Sequence, residues 1–149
     1  MSAKRTLWIW TSIPVILAFI PFKSLNCPSW DVWVTDGNGK ALPGMTVLLT
    51  YQDYSAESRS HEIRGITDAQ GHVAFAAQTL WASVVQRIRA TLNSTVVGVH
   101  GRHAQVFAFG NGQISRDSAY WTGKPNHMES RIIVVPRPPN IQPENGIRA

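Results

Sequence analysis

Hydrophobic and polar positions follow three different rhythms along the chain. From Leu7 to Phe22 there is no rhythm at all, only an uncharged apolar run behind Lys4 and Arg5. From Trp30 onward the period is two. Trp30, Val32 and Val34 share one side of an extended segment while Asp31, Trp33 and Thr35 share the other, as a half-buried strand requires. Met45, Val47, Leu49 and Tyr51 alternate in the same way with Thr46, Leu48, Thr50 and Gln52. A third strand, Arg59 to Thr67, sets His61, Ile63 and Gly65 against Glu62, Arg64 and Ile66, and its polarity suits a sheet edge. A fourth, His72 to Ala76, carries Val73 and Phe75 on one face.

Near Gln78 the period lengthens. Leu80, Trp81, Val84, Val85 and Ile88 recur at helical spacing, with Gln86, Arg87 and Arg89 opposite, which predicts an amphipathic helix over about residues 79–92. Val84, Ile88 and Leu92 also share an odd-even class, so a strand is the alternative there. Thr95 to Phe109 returns to β, interrupted at Gly101-Arg102, and Ser130 to Val135 forms a last apolar strand before Pro136. The turns are equally legible. Asp36-Gly37-Asn38-Gly39 and Asp68-Ala69-Gln70-Gly71 each follow a threonine, 32 residues apart, and both offer an Asp that can bond following amides and a Gly that accepts positive φ.

These elements predict a mainly β protein, an immunoglobulin-like or transthyretin-like β-sandwich with one helix, preceded by a hydrophobic helix at the amino terminus. Residues 1–29 form a signal-anchor or signal peptide with its apolar core at 7–22. Residues 30–136 form the sandwich, 107 positions against about 100 for an immunoglobulin domain. Residues 137–149, with three prolines and little apolar content, form a flexible tail.

Charge and length refine the first segment. The formal net charge is +5, but removing Lys4, Arg5 and Lys23 from the 14 basic side chains leaves 11 against 9 acidic ones, a net of +2. A domain so nearly neutral is not expected to bind nucleic acid. The basic start and apolar run have the pattern of an export signal. Sixteen residues reach about 24 Å, short of a hydrocarbon core of about 30 Å, whereas a helix from Thr6 to Leu25 crosses it if Lys23 extends its ammonium to the far interface. Nothing resembling a small-x-small cleavage site follows. The expectation is an uncleaved anchor in the cell membrane, with Trp8 and Trp10 at the cytoplasmic end and the domain on the extracytoplasmic side; secretion after signal cleavage is the alternative.

The run from Val34 through Asp36, Gly39, Leu42 and Gly44 to Val47, followed by Thr67-Asp68-Ala69-Gln70-Gly71-His72-Val73-Ala74-Phe75, resembles the carboxypeptidase regulatory-like domain. The likeness covers residues 30 to 76. It implies a transthyretin-like sandwich acting as an accessory, non-catalytic module of exported bacterial proteins, and it brings no catalytic residue with it.

Candidate chemistry is sparse. His100 and His103 have a His-x-x-His spacing, but no Asp, Glu or Cys adjoins them, so they remain metal candidates without a metal assigned, and no cofactor is expected. The intradiol ring-cleavage dioxygenases also have a transthyretin-like core, and their tyrosine and histidine iron ligands would correspond to Tyr51, Tyr54, His100 and His103; their His-x-His motif has no counterpart in this chain. Nucleophile elbows and phosphate loops are absent from the sequence. One cysteine, Cys27, permits no internal disulfide. Trp121 and Tyr120 could offer aromatic platforms, and Arg87, Arg89 and Arg102 a basic face, to a glycan or an envelope protein. The functional expectation is therefore a non-catalytic binding or structural module anchored by its amino-terminal helix, with a carbohydrate-binding module and, behind it, a metal-dependent enzyme of dioxygenase-like fold as alternatives. No oligomeric state follows from the sequence.

Overall fold

The computed structural model describes residues 13–136, the Val97 side chain apart. The chain is mainly β. In order it forms β1 (Phe22–Cys27), β2 (Ser29–Thr35), β3 (Thr46–Asp53), β4 (His61–Ile66), β5 (His72–Phe75) and β6 (Gln78–Ala82), then a helix (Val84–Val97), then β7 (Arg102–Gly110), β8 (Gln113–Ser115), β9 (Ala119–Trp121) and β10 (His127–Pro136). One sheet has eight strands in the order β4-β3-β7-β8-β10-β2-β5, with β9 also paired to β7; β1 and β6 form a separate antiparallel ribbon.

The large sheet folds over on itself. Trp30, Val32 and Val34 of β2 share one core with Val47 and Leu49 of β3, Val106 and Ala108 of β7, and Ile132 and Val134 of β10. These are the faces that period-two alternation assigns to the interior, and fully burying each such side chain stabilises the fold by roughly 1.5–3 kcal/mol. The end strands β4 and β5 approach so closely that a Cβ on Gly65 would lie 2.5 Å from Val73 Cγ2. The result is a sandwich that almost closes into a barrel.

The two Thr-Asp turns are built alike. Asp36 Oδ1 accepts from the amides of Asn38 (2.8 Å) and Lys40 (2.9 Å), and Asp68 Oδ1 accepts from those of Gln70 and His72 (both 2.9 Å). Each turn closes through Gly39 (φ 81°) or Gly71 (φ 73°), where a side chain would be strained. The second turn is the tighter. A Cβ on Gly71 would come within 2.7 Å of the Val34 carbonyl, because β2 passes directly beside it.

Three expectations change. Residues 79–82 are strand, not helix, because Gln78–Ala82 pairs with Phe22–Cys27. The helix starts after Ser83, whose hydroxyl accepts from Gln86 N while Gln86 Oε1 accepts from Ser83 N, a reciprocal cap that fixes the first turn. It runs on to Val97 and ends at Gly98 (φ 73°), so β structure resumes only at Arg102, not Thr95. This also removes the strand alternative for Val84, Ile88 and Leu92.

At the amino terminus the backbone is helical over residues 13–19 and then extended from Phe22. A continuous helix from Thr6 to Leu25 is therefore not formed, since the register pairs Phe22 with Ala82 and Leu25 with Thr79. Among the described residues no helix is long and apolar enough to cross a membrane. Lys4, Arg5, Trp8 and Trp10, and the tail from Arg137, lie outside the described residues.

Candidate ligand cleft on the outer sheet face

What period two buries on one face it presents on the other. Register places Gln52 beside His103 and Thr50 beside Gln105, and Gln105 in turn beside Tyr120, so these side chains stand in rows across the outer face of β3, β7 and β9. Tyr54, Ser60 and Val99 border the same cleft, which has a volume of about 230 Å³ and opens to solvent.

The cleft is held by specific contacts. Gln105 Nε2 donates to Tyr120 Oη at 3.1 Å. His103 Nε2 lies 2.9 Å from the His100 carbonyl. A carbonyl only accepts, so Nε2 carries the proton and a neutral His103 keeps Nδ1 as an acceptor. The Tyr54 ring meets the His103 ring edge-on, centroids 5.5 Å apart. Tyr120, 65% exposed, leaves its face free at the rim. Flat rings, amides and an imidazole acceptor suit a small polyhydroxylated or planar polar group. The volume is below the roughly 300 Å³ at which drug-sized pockets begin, so one ring-sized unit fits.

The structure separates the other candidates from this cleft. Trp121 is 2% exposed, and its Nε1 donates to the Pro125 carbonyl at 2.6 Å. It belongs to the core, and the platform expected of it is not accessible. Arg87 and Arg102 do not make a basic face. Both turn to the buried carboxylate of Asp53, at 3.5 and 3.4 Å. Arg87 also donates to Ser24 Oγ at 2.6 Å and lies 4.6 Å over the Phe22 ring, so it ties the helix to β1. Arg89 remains exposed on the helix.

Of Tyr51, Tyr54, His100 and His103, all but His100 border this cleft, with Tyr54 and His103 edge-on to each other. Tyr51 pairs with Ala104 and faces the core, stacked on His61, whereas His103 pairs with Gln52 on the outer face. Burial pushes the Tyr51 phenol up, and the Cys27 and Glu57 charges add to it. His100 meets His103 through its backbone oxygen only. Among the described residues no group of three or more His, Cys, Asp or Glu is arranged to hold a metal.

A second polar cluster was not foreseen. On the outer face of β10, β2 and β5, Asp31 lies 2.8 Å from His72 Nε2 and 3.7 Å from His127 Nε2, and His127 Nδ1 lies 2.9 Å from Ser29 Oγ. Serine, histidine and carboxylate occur in sequence, yet 3.7 Å is too long for the hydrogen bond that would orient the imidazole of a triad. Ser29 and Asp31 sit two apart on one strand, a signal visible in the sequence. Their histidine partners, about 40 and 100 positions away, become neighbours only through sheet register.

No protein-family model and no curated protein matches the chain. Its likeness is to solved structures. The catechol 1,2-dioxygenase of Pseudomonas arvilla C-1 aligns with 73% of this chain and 52% of its own at 15% identity and a TM-score of 0.41. The chlorocatechol 1,2-dioxygenase of Pseudomonas putida aligns with 74% of this chain and 61% of its own at 12% identity and a TM-score of 0.43. The 3-chlorocatechol 1,2-dioxygenase of Rhodococcus opacus 1CP gives 75% and 61% at 12% and 0.43. The chain thus spans between about half and three fifths of those enzymes. Likeness at this level assigns it neither an activity nor a ligand.

Proposed function

We propose that the chain is an exported, membrane-anchored β-sandwich module that does no chemistry of its own and binds a carbohydrate unit in the cleft beside Tyr120. The observation that carries this reading is the cleft itself, where Gln105, Tyr120, His103 and Tyr54 present hydrogen-bonding groups and ring faces together on an outer sheet face. Aromatic rings with one apolar body and one polar tip suit sugar rings, which alternate C–H faces with hydroxyls. The immunoglobulin-like or transthyretin-like class and the resemblance to carboxypeptidase regulatory-like domains agree with an accessory role. The uncharged run behind Lys4 and Arg5 supports export, and with β1 starting at Phe22 the anchoring part of the reading rests on the apolar residues before it.

Retention of the purified chain on a panel of insoluble envelope polysaccharides tests the cleft. Tyr120→Ala and Gln105→Ala should each weaken retention at least severalfold while leaving the unfolding midpoint in place, because Tyr120 is at the rim. Equal retention by both variants would remove the carbohydrate reading. Elemental analysis decides against the enzyme alternative or for it: one equivalent of iron in the purified chain would overturn the non-catalytic reading. For anchoring, the intact mass of membrane-extracted protein should include Met1 or Ser2, and a start near Trp30 would show a cleaved signal.

A further inference from the structure

The helix is docked inside out. Val84 is 42% exposed, Ile88 56%, Leu92 65% and Val96 89%, and these residues recur every fourth position along one side. The side turned to the domain carries Arg87, Ala90 and Ser94, with Ser94 buried and its hydroxyl bonded to the Thr91 carbonyl at 3.0 Å. A helix serving only a water-soluble fold arranges itself the other way, and an apolar stripe left outward marks an interaction surface.

What covers the stripe is indicated by where the chain arrives. Phe22, the last residue of the uncharged run, lines one shallow apolar groove with Val84, Ile88 and Leu92. Ile13, Val15, Ile16, Leu17, Phe19 and Ile20 of that run are exposed as well, so two apolar surfaces meet at Phe22. Charge points the same way. The helix contains Arg87 and Arg89 and no acidic residue, Arg89 is exposed, and Lys23 stands exposed next to Phe22.

We propose that the helix Val84–Val97 lies in the plane of an anionic phospholipid bilayer, with Val84, Ile88, Leu92 and Val96 at the boundary between headgroups and acyl chains and with Arg89 and Lys23 among the headgroup phosphates. Fourteen residues reach about 21 Å, too short to cross, and an apolar stripe flanked by basic side chains is the pattern of an interfacial helix. A second copy fits less well, because burying the stripe against itself brings Arg89 and Lys23 of both copies to one interface while the helix offers no acidic residue to meet them. The anchored reading above would bring the bilayer to this same side, since the uncharged run ends at Phe22, but the stripe and its basic neighbours carry the proposal without it.

The test uses the full chain reconstituted into vesicles of equal parts phosphatidylcholine and phosphatidylglycerol, with a fluorescent label on Ile88→Cys, Leu92→Cys or Phe19→Cys and nitroxide on the acyl chains as quencher. Cys27 is fully buried, which directs the label to the introduced thiol. Quenching at Ile88→Cys and Leu92→Cys is the expected result, and Leu92→Glu should reduce quenching at Ile88→Cys severalfold. Quenching at Phe19→Cys without quenching at the two helix positions overturns the proposal and leaves the anchor standing. Quenching at the helix positions without Phe19→Cys upholds the proposal and removes the anchor. Absence of quenching at all three positions removes both, and excimer formation by pyrene at Leu92→Cys would then assign the stripe to a second copy.

Discussion

The folded sheet and the helix follow opposite rules. The sheet buries Trp30, Val47, Leu49 and Val106 and turns Gln52, His103 and Gln105 outward. The helix buries Ser94 and half-buries Arg87, and turns Ile88 and Leu92 outward. One region is held by excluded water, the other by a charge network in which Arg87 and Arg102 meet Asp53 and by a capping box at Ser83. Attachment through charge is specific in direction but leaves an apolar stripe unspent, and that stripe is the feature of the helix that needs a partner.

Breaking the sheet should have the largest effect. Trp30 is fully buried and its Nε1 donates to Ser130 Oγ at 2.9 Å. Trp30→Ala should lower stability by about 4 kcal/mol through lost burial and a cavity, read as a shift of the whole urea transition. Asp53→Ala comes next, at about 3 kcal/mol, because it strands two guanidinium groups against a buried site. Its signature differs: the helical far-ultraviolet signal should fall before the tryptophan signal of the core, and a single coincident transition would show that the helix is not separately docked.

Alkali sharpens the contrast from the sheet side. Burial pushes the Cys27 thiol from its ordinary 9.0 up to about 12. The folded chain then keeps a proton that the unfolded chain releases, so stability falls as pH rises above 9.0 toward the folded value, by up to about 1.4 kcal/mol per pH unit. Cys27→Ala should flatten that part of the curve, and an unchanged slope would locate the alkaline loss elsewhere. Smaller again is Ser83→Ala, which removes the hydroxyl acceptor of the helix cap and should cost about 1 kcal/mol, measurable as earlier loss of helical signal.

The same contrast explains which elements are legible in the sequence. β2 and β3 were legible because one face of each is buried, so the alternation in Trp30-Val32-Val34 and Met45-Val47-Leu49 has a single solution. The Thr35 and Thr67 turns were legible because Asp and Gly act on their own neighbours. β6 was not, since its partner is Phe22–Cys27, more than fifty positions earlier and overlapping an apolar run that reads as membrane segment. In the cleft, Tyr120 was legible and Trp121 misplaced, although adjacent strand residues must face opposite ways. Which of them faces out depends on the pairing of β9 with β7, and so do the positions of Gln105 and His103.

Leu92→Ser should change stability least, and for that reason it probes the helix most directly. In a helix packed by its apolar side, removing a leucine costs 2–5 kcal/mol. Here Leu92 is 65% exposed and the contacts that hold the helix are those of Arg87 with Asp53 and Ser24, away from the stripe. The expected change in water is therefore within about 0.5 kcal/mol, and the urea transition should superimpose on that of the parent chain. A loss approaching that of Trp30→Ala would mean that Leu92 faces the core, and the distinction between a sheet held by apolar burial and a helix held by charge would collapse. A null effect on stability together with weaker vesicle quenching would separate folding from surface attachment at a single residue.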